Sequence, residues 1–277
     1  VPKTIDNDLY GTDHCPGFAS AAKYIASSCA EVYKDARVYD TGMVTIIEIM
    51  GRHAGWLAGA AALAGVVGCA PDLIYLPEVD FDMDRFLADV SEIYQREGNC
   101  IVAVSEGIHY ADGTFVSEAK TSATDGFGHA QLGGLAALLA NIVKEKTGAK
   151  VRGIELSLLQ RCGAHLASQT DIDESFMAGK AAVEAAVAGE TDKMVGFECT
   201  RENGQYACKT KLFELSSVAN YEKKVPLEWI NKDGNGVTQE FIDYALPLIQ
   251  GENHRALENG LPRFAHLKKV VAATKVK

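Results

Sequence analysis

The feature that most restricts how this chain can fold is one apolar run, Val44-Thr45-Ile46-Ile47-Glu48-Ile49-Met50. It is β-branched or aliphatic everywhere except Glu48, so it has no polar face to turn toward water. It reads as a strand buried on both sides, which calls for a parallel sheet with helices on both faces. Parallel neighbours need crossover connections, and the sequence supplies them. Leu73 to Leu76 and Ile101 to Val104 read as strands flanking an amphipathic helix marked by Phe86, Leu87, Val90, Ile93 and Tyr94. Val151 to Leu156 reads as a further strand, and the fold class is α/β with a parallel sheet.

In such a fold the strand ends matter, because open α/β sheets bind ligands beyond the carboxyl ends of their strands. Met50-Gly51-Arg52 closes the apolar run. Its glycine lets backbone approach a ligand closely, and its arginine can fork onto phosphate. Ser105-Glu106-Gly107 ends the next strand and puts a carboxylate where a sugar hydroxyl could bind, although a strand-end Glu in solvent is an even alternative. Arg152 lies in the following strand, with Gln160-Arg161 just beyond it. Two arginines near one strand suit a phosphate that must be held, while each alone would serve as a surface ion pair.

The densest polar segment is Pro2-Lys3-Thr4-Ile5-Asp6-Asn7-Asp8. Pro2 biases the residue before it toward extended backbone, and Asn7 and Asp8 favour turns, so the segment reads as a strand exit. Asp6 could take a proton from a hydroxyl, Lys3 could neutralise phosphate charge, and Thr4 could hydrogen-bond either partner. Together they suggest phosphoryl transfer to an alcohol. An arbitrary Asp-x-Asp is more often an ordinary surface turn, so the exact wording has to carry the argument.

Elsewhere, Phe18, Ala21, Ala22, Ile25, Cys29, Val32 and Tyr33 recur at helical spacing, with Thr12 or Asp13 available as a cap. Helices are also expected from about Trp56 to Ala64, Ala130 to Thr147, Glu174 to Ala188 and Gln239 to Tyr244. Met194 to Cys199 reads as a strand without catalytic features. Tyr110 to Phe127 reads as an irregular rim, and Lys268 to Lys277 as a basic segment that frays. His53, Trp56 and His129 read as packing or capping residues.

Composition excludes several classes. Lys+Arg of 27 against Asp+Glu of 37 gives a formal charge of −10, which argues against a nucleic-acid binder with a basic face, so any phosphate pocket must be local. Hydrophobic residues make up 47% and no apolar run approaches the length of a membrane span, as expected of a soluble globular protein. The seven cysteines show no C-x-x-C spacing and read as reduced thiols of a cytoplasmic protein.

Thr4-Ile5-Asp6-Asn7-Asp8 resembles the signature loop of the phosphofructokinase family, and Met50-Gly51-Arg52, Glu106, Arg152 and Arg161 follow in the family's order. The resemblance covers nearly the whole chain. It implies a Rossmann-like phosphofructokinase fold, truncated at its N-terminus, in which fructose 6-phosphate and the phosphoryl donor face each other across a cleft between two α/β domains. Asp6 would be the base that activates the sugar's 1-hydroxyl, with Thr4 orienting and Lys3 stabilising the departing phosphate. Ile5, Met50, Gly51, Arg52, Glu106 and Leu158 would line the sugar site, and Arg152 and Arg161 would bind the 6-phosphate. Asp8 would help position Mg2+, whose main ligand belongs to a Gly-Gly-Asp loop expected upstream of Val1.

The resemblance further implies that residues 1–14 end a donor domain, 15–161 form the sugar-phosphate domain, and 162–277 return to the donor domain with a C-terminal extension, exposing apolar surface. The chain opens directly in its catalytic loop, so we expect it to be the later part of a longer protein and inactive by itself. Lys3 stands where bacterial ATP-dependent members have Gly, whereas pyrophosphate-dependent members and some ATP users have Lys, which favours pyrophosphate over ATP. Met43 and Leu158 replace an Arg and a His of that ATP branch. The expected enzyme is a glycolytic homo-oligomer, a dimer or tetramer, that makes fructose 1,6-bisphosphate. The rivals are an ATP-dependent 6-phosphofructokinase and a non-catalytic sugar-phosphate-binding or regulatory chain. The sequence upstream of Val1 separates them.

Overall fold

The computed structural model describes residues 1–38, 40–117 and 134–270. The apolar run forms β1 (Met43–Ile49), buried at every position. With β2 (Leu73–Tyr75), β3 (Asn99–Ser105) and β4 (Lys150–Glu155) it makes a four-stranded sheet in the order β2-β3-β1-β4, all pairings parallel. Alternate side chains point to opposite faces. Ile47, Ile49 and Ile101 pack under α1 (Phe18–Ala36) and α2 (Trp56–Ala60), with Phe18, Ile25 and Leu57 among their neighbours. Val44, Ile46 and Val102 pack under α3 (Met83–Glu97) and α4 (Leu135–Thr147), against Phe86, Val90 and Leu139. Both faces are covered, as a strand without a polar side requires.

The inferred elements recur with shifted ends, and α2 continues as a 3-10 turn over Ala61–Val67. His129, the start of the helix expected from Ala130, most of the expected rim and the last residues of the basic segment lie outside the described residues.

Beyond β4 the chain forms α5 (Leu159–Cys162), α6 (Gln169–Val187), an antiparallel hairpin of β5 (Lys193–Glu202) and β6 (Gln205–Glu214), then α7 (Leu215–Val218) and α8 (Gln239–Ala245). Two corrections follow. The helix expected from Glu174 begins at Gln169, where the Ser168 side chain accepts from Asp171 N. β6 was not expected at all, although its turn is Asn203-Gly204, with φ of 52° and 73°, the pair that a tight hairpin needs. The outer side of α6 leaves Phe176 75% and Val187 84% exposed, in line with the apolar surface expected after Cys162.

The proposed cap of α1 is also corrected. Thr12 Oγ1 donates to His14 O and accepts from Phe197 N, while Asp13 binds Arg201. Gly17 is the N-cap, and the cap group is remote: Asp171 accepts from Gly17 N at 2.8 Å and from Ser20 N at 3.1 Å. A buried carboxylate there satisfies N–H groups that have no partner within the helix and sits at the positive end of its dipole.

Candidate active site

The loop at residues 1–8 is held by Asn7. This residue is fully buried and has φ of 58°, a left-handed value that Asn tolerates. Its Nδ2 donates to Tyr244 Oη at 2.8 Å, and its Oδ1 accepts from Cys15 N at 2.9 Å and Lys223 Nζ at 3.2 Å. Asp8 O accepts from Lys223 N at 2.7 Å. With its rear fixed, the loop presents Thr4 and Asp6 in a local turn, where Asp6 N donates to Thr4 Oγ1 at 3.2 Å.

The strand ends form the opposite wall. Glu106 N donates to Ile49 O at 2.9 Å, which draws the end of β3 against the end of β1. Gly51 follows with φ of 135°, a conformation that L side chains rarely adopt, and a Cβ there would meet Ala54 O at 2.7 Å. Its N–H donates to Glu106 Oε1 at 3.3 Å, and Met50 N donates to the buried Gln160 Oε1 at 3.1 Å. The Met-Gly-Arg segment is thus aimed by Glu106 on one side and Gln160 on the other.

The electrostatics follow from burial. Asp6 is raised above the ordinary carboxyl range by burial and then by the Asp8 charge, while Thr4, Arg52 and Arg161 pull it down. Glu106 is raised by burial and opposed by the Gly51 N–H and by Arg52, with Asp6 adding to the rise. Asp8 is raised by burial and by Glu222, and lowered by His53 and Lys223. Asp6, Arg52, Glu106 and Arg161 therefore form one electrostatic group.

Lys3, Ile5, Gln160 and Arg161 line a cavity of about 240 Å3 beside that group. Arg152 and Leu158 do not join it. Arg152 is exposed on edge strand β4, level with Thr45 near the start of β1, and Leu158 is 55% exposed ahead of α5. A larger cavity of about 500 Å3 lies among Trp56, Trp229, Tyr244, Arg201 and Lys223, and none of the candidate catalytic or sugar-binding residues lines it. Trp56 is 3% exposed, bears on Phe18, Phe241 and Tyr244, and so belongs to the core.

Two further groups went unread in the sequence. Glu48 is 2% exposed, its Oε2 accepts from Ala136 N at the start of α4 at 2.8 Å, and burial pushes its carboxyl up to about 7. The signal for it was present as a lone carboxylate in an apolar strand. The second group joins Asp13, His14, Glu174 and Arg201. Arg201 forks onto Asp13 at 2.8 and 2.9 Å, and His14 lies 2.9 Å from Asp13 and 2.7 Å from Glu174. Its members come from distant parts of the chain, and no local pattern marks them.

Oxygen donors for a hard divalent cation are present in the loop as Asp6 and Asp8, neighbouring carboxylates of which Asp8 raises Asp6. Among the described residues, Asp13, His14 and Cys199 also lie close enough to share an ion, but a thiol and an imidazole do not suit Mg2+.

A strand-end crevice with a half-buried carboxylate, an arginine-bearing glycine turn and a second arginine is the kind of site an open α/β sheet builds for an anionic ligand. The chain belongs to the phosphofructokinase family, whose profile matches residues 1–192. It is 48% identical to the pyrophosphate--fructose 6-phosphate 1-phosphotransferase of Xanthomonas campestris pv. campestris, over all of this chain and 66% of that protein. It is 44% identical to the Halomonas elongata protein of the same name, over 97% of this chain and 64% of that one. The crystal structure of pyrophosphate-dependent phosphofructokinase from Marinobacter aquaeolei superposes with a TM-score of 0.87 at 39% identity, over 100% of this chain and 66% of that one. The chain thus spans slightly under two-thirds of the length of these relatives.

Proposed function

We propose that this chain is the sugar-phosphate-binding part of a phosphofructokinase that transfers a phosphoryl group from pyrophosphate to the 1-hydroxyl of fructose 6-phosphate. The observation that carries the reading is Asp6, a half-buried carboxylate with a raised pKa, grouped with Arg52, Arg161 and Glu106 beyond the ends of β1 and β3. The relatives named for that reaction, at 44% and 48% identity, support it.

Asp6 takes the hydroxyl proton. Burial disfavours its charged form, so it is a stronger base than a solvated carboxylate, and Thr4 fixes the loop around it. Glu106 accepts a sugar hydroxyl, while Arg52 and Arg161 supply positive charge to the 6-phosphate. The part given to Arg152 and Leu158 rests on the family resemblance alone. Lys3, exposed at the cavity that Arg161 also lines, neutralises charge on the departing phosphate. Asp6 and Asp8 would help to hold Mg2+, which when bound screens the phosphate charges that meet in the crevice. The same reading makes the whole protein a cytoplasmic homo-oligomer.

The test is a coupled assay for fructose 1,6-bisphosphate on a full-length protein carrying this sequence, with pyrophosphate or ATP and Mg2+. Turnover with pyrophosphate is expected. Turnover with ATP alone would move the donor assignment, and tight fructose 6-phosphate binding without turnover on either donor would favour a regulatory chain.

A further inference from the structure

β5 and β6 set Cys199 directly opposite Cys208. Directly opposed residues of an antiparallel pair have Cα atoms about 4.5–5.5 Å apart and side chains on one face, inside the range a disulfide requires. Both cysteines are free and partly exposed, and both lie against the small apolar cluster of Ala178, Val195 and Phe197. The surroundings of Cys199 are polar. Its Sγ lies 3.4 Å from Tyr206 Oη and 3.9 Å from His14 Nδ1, and Tyr206 Oη donates in turn to Glu174 Oε1 at 2.7 Å.

We propose that Cys199 and Cys208 are a redox-active dithiol, a modification site at which a hydroperoxide converts the pair to a cross-strand disulfide. Cys199 is the attacking sulfur. Its thiolate displaces water or an alcohol from the protonated O–O bond and becomes a sulfenic acid, so the sulfur is oxidised and the peroxide reduced. Cys208 then attacks that sulfur, the S–O bond breaks, and water leaves with the Cys208 proton. The bond forms without strand movement because the hairpin register already opposes the two residues.

The electrostatics divide the roles in the same way. The hydrogen bond from Cys208 pushes the Cys199 thiol down to about 6 against the opposing effect of burial, with His14 and Tyr206 adding to the fall, while Cys208 is pushed up. His14 is held as a cation, its pKa raised to about 10 by Asp13, Cys199 and Glu174 against the opposing effect of burial. A thiolate beside a cation, with a second thiol across the ladder, is the environment in which a cysteine reacts. Cys15, Cys29, Cys69 and Cys100 are buried, and burial raises the thiols of Cys15, Cys29 and Cys100.

The experiment treats the full chain with stoichiometric hydrogen peroxide, alkylates it after denaturation, and maps unreduced peptides by mass spectrometry. A linked Cys199–Cys208 pair lacking two hydrogens is expected, ahead of oxidation at the exposed Cys162. Full alkylation of both cysteines while Cys162 is oxidised would overturn the proposal. In C208S, dimedone should label Cys199, and in C199S it should leave Cys208 unlabelled; labelling of Cys208 instead would reverse the assigned roles and sink the mechanism. The wild-type chain gives a readout that needs no variant to fold. Iodoacetamide labelling of Cys199 should rise with a midpoint near pH 6, and a midpoint in the ordinary thiol range would count against it.

Discussion

Asp6 and Asp13 lie a few residues apart in sequence, and both are partly buried, yet their surroundings act in opposite directions. Asp6 shares its crevice with Asp8 and Glu106, and the charges of Arg52 and Arg161 do not offset its burial, so its carboxyl is raised. Asp13 receives both arms of Arg201 and a hydrogen bond from His14, which outweigh burial and hold it well below the ordinary range. The first carboxylate keeps an affinity for a proton or a cation that the chain has not satisfied. The second has none left to offer. Residue type alone therefore does not separate a working carboxylate from a structural one; the number of hydrogen-bonded charges brought to it does.

The largest expected effect tests the unsatisfied side. Asp6→Asn keeps size and hydrogen bonding but removes the proposed base. In a full-length protein carrying this sequence, turnover should fall by about 2 to 4 powers of ten with fructose 6-phosphate affinity nearly unchanged. Steady-state kinetics paired with calorimetry on the sugar phosphate measures both. Near-normal turnover would put Asp6 on the structural side of the comparison.

The satisfied side should answer in stability. Asp13→Ala takes the carboxylate from Arg201 and removes one of the two carboxylates beside His14, and breaking a partly buried pair in this way costs on the order of 2 kcal/mol, between the exposed and the fully buried cases. Urea unfolding measures it, and a loss within about 0.5 kcal/mol would show that the pair is no more than a surface bridge. In the intact chain His14 should still be protonated at pH 8 by NMR, since its pKa is raised to about 10. In Asp13→Asn, that pKa should fall back toward the ordinary imidazole value.

Sequence resolved the crevice better than the clamp, for a physical reason. Asp6, Gly51, Arg52 and Glu106 each sit at the exit of a strand or a turn, where position along one short segment fixes what the side chain faces, so local wording carried the information. His14, Glu174 and Arg201 meet only when α6 and the β5–β6 hairpin pack onto the stretch before α1. Nothing near any one of them announces the others. The sheet was legible from the doubly apolar β1, and the hairpin would have been legible from Asn203-Gly204. The remote cap of α1 by Asp171 would not have been, because Thr12 and Asp13 offered a plausible local cap and are taken up elsewhere by Phe197 and Arg201.

Glu48 sharpens the comparison with a smaller effect of opposite sign. Its carboxyl is pushed up to about 7 by burial, against the N–H groups of Ala136 and Leu135, with Glu155 and Glu106 adding to the rise. An unfolded Glu titrates near its ordinary value of about 4.3. Between that pH and 7 the unfolded chain has released the proton while the folded chain retains it, so this group lowers stability as pH rises through the window and holds it at the lower level above. Glu48→Gln removes that penalty and leaves an amide oxygen to accept from Ala136 N. At pH 8 the variant should be more stable than the parent by on the order of 1 kcal/mol, with the gain vanishing or reversing at pH 4. Thermal melts at the two pH values decide it. Destabilisation at pH 8 of the size expected for Asp13→Ala would mean that Glu48 is a satisfied carboxylate held by the start of α4, and the division between the two kinds of buried acid would have to be redrawn at the strand itself.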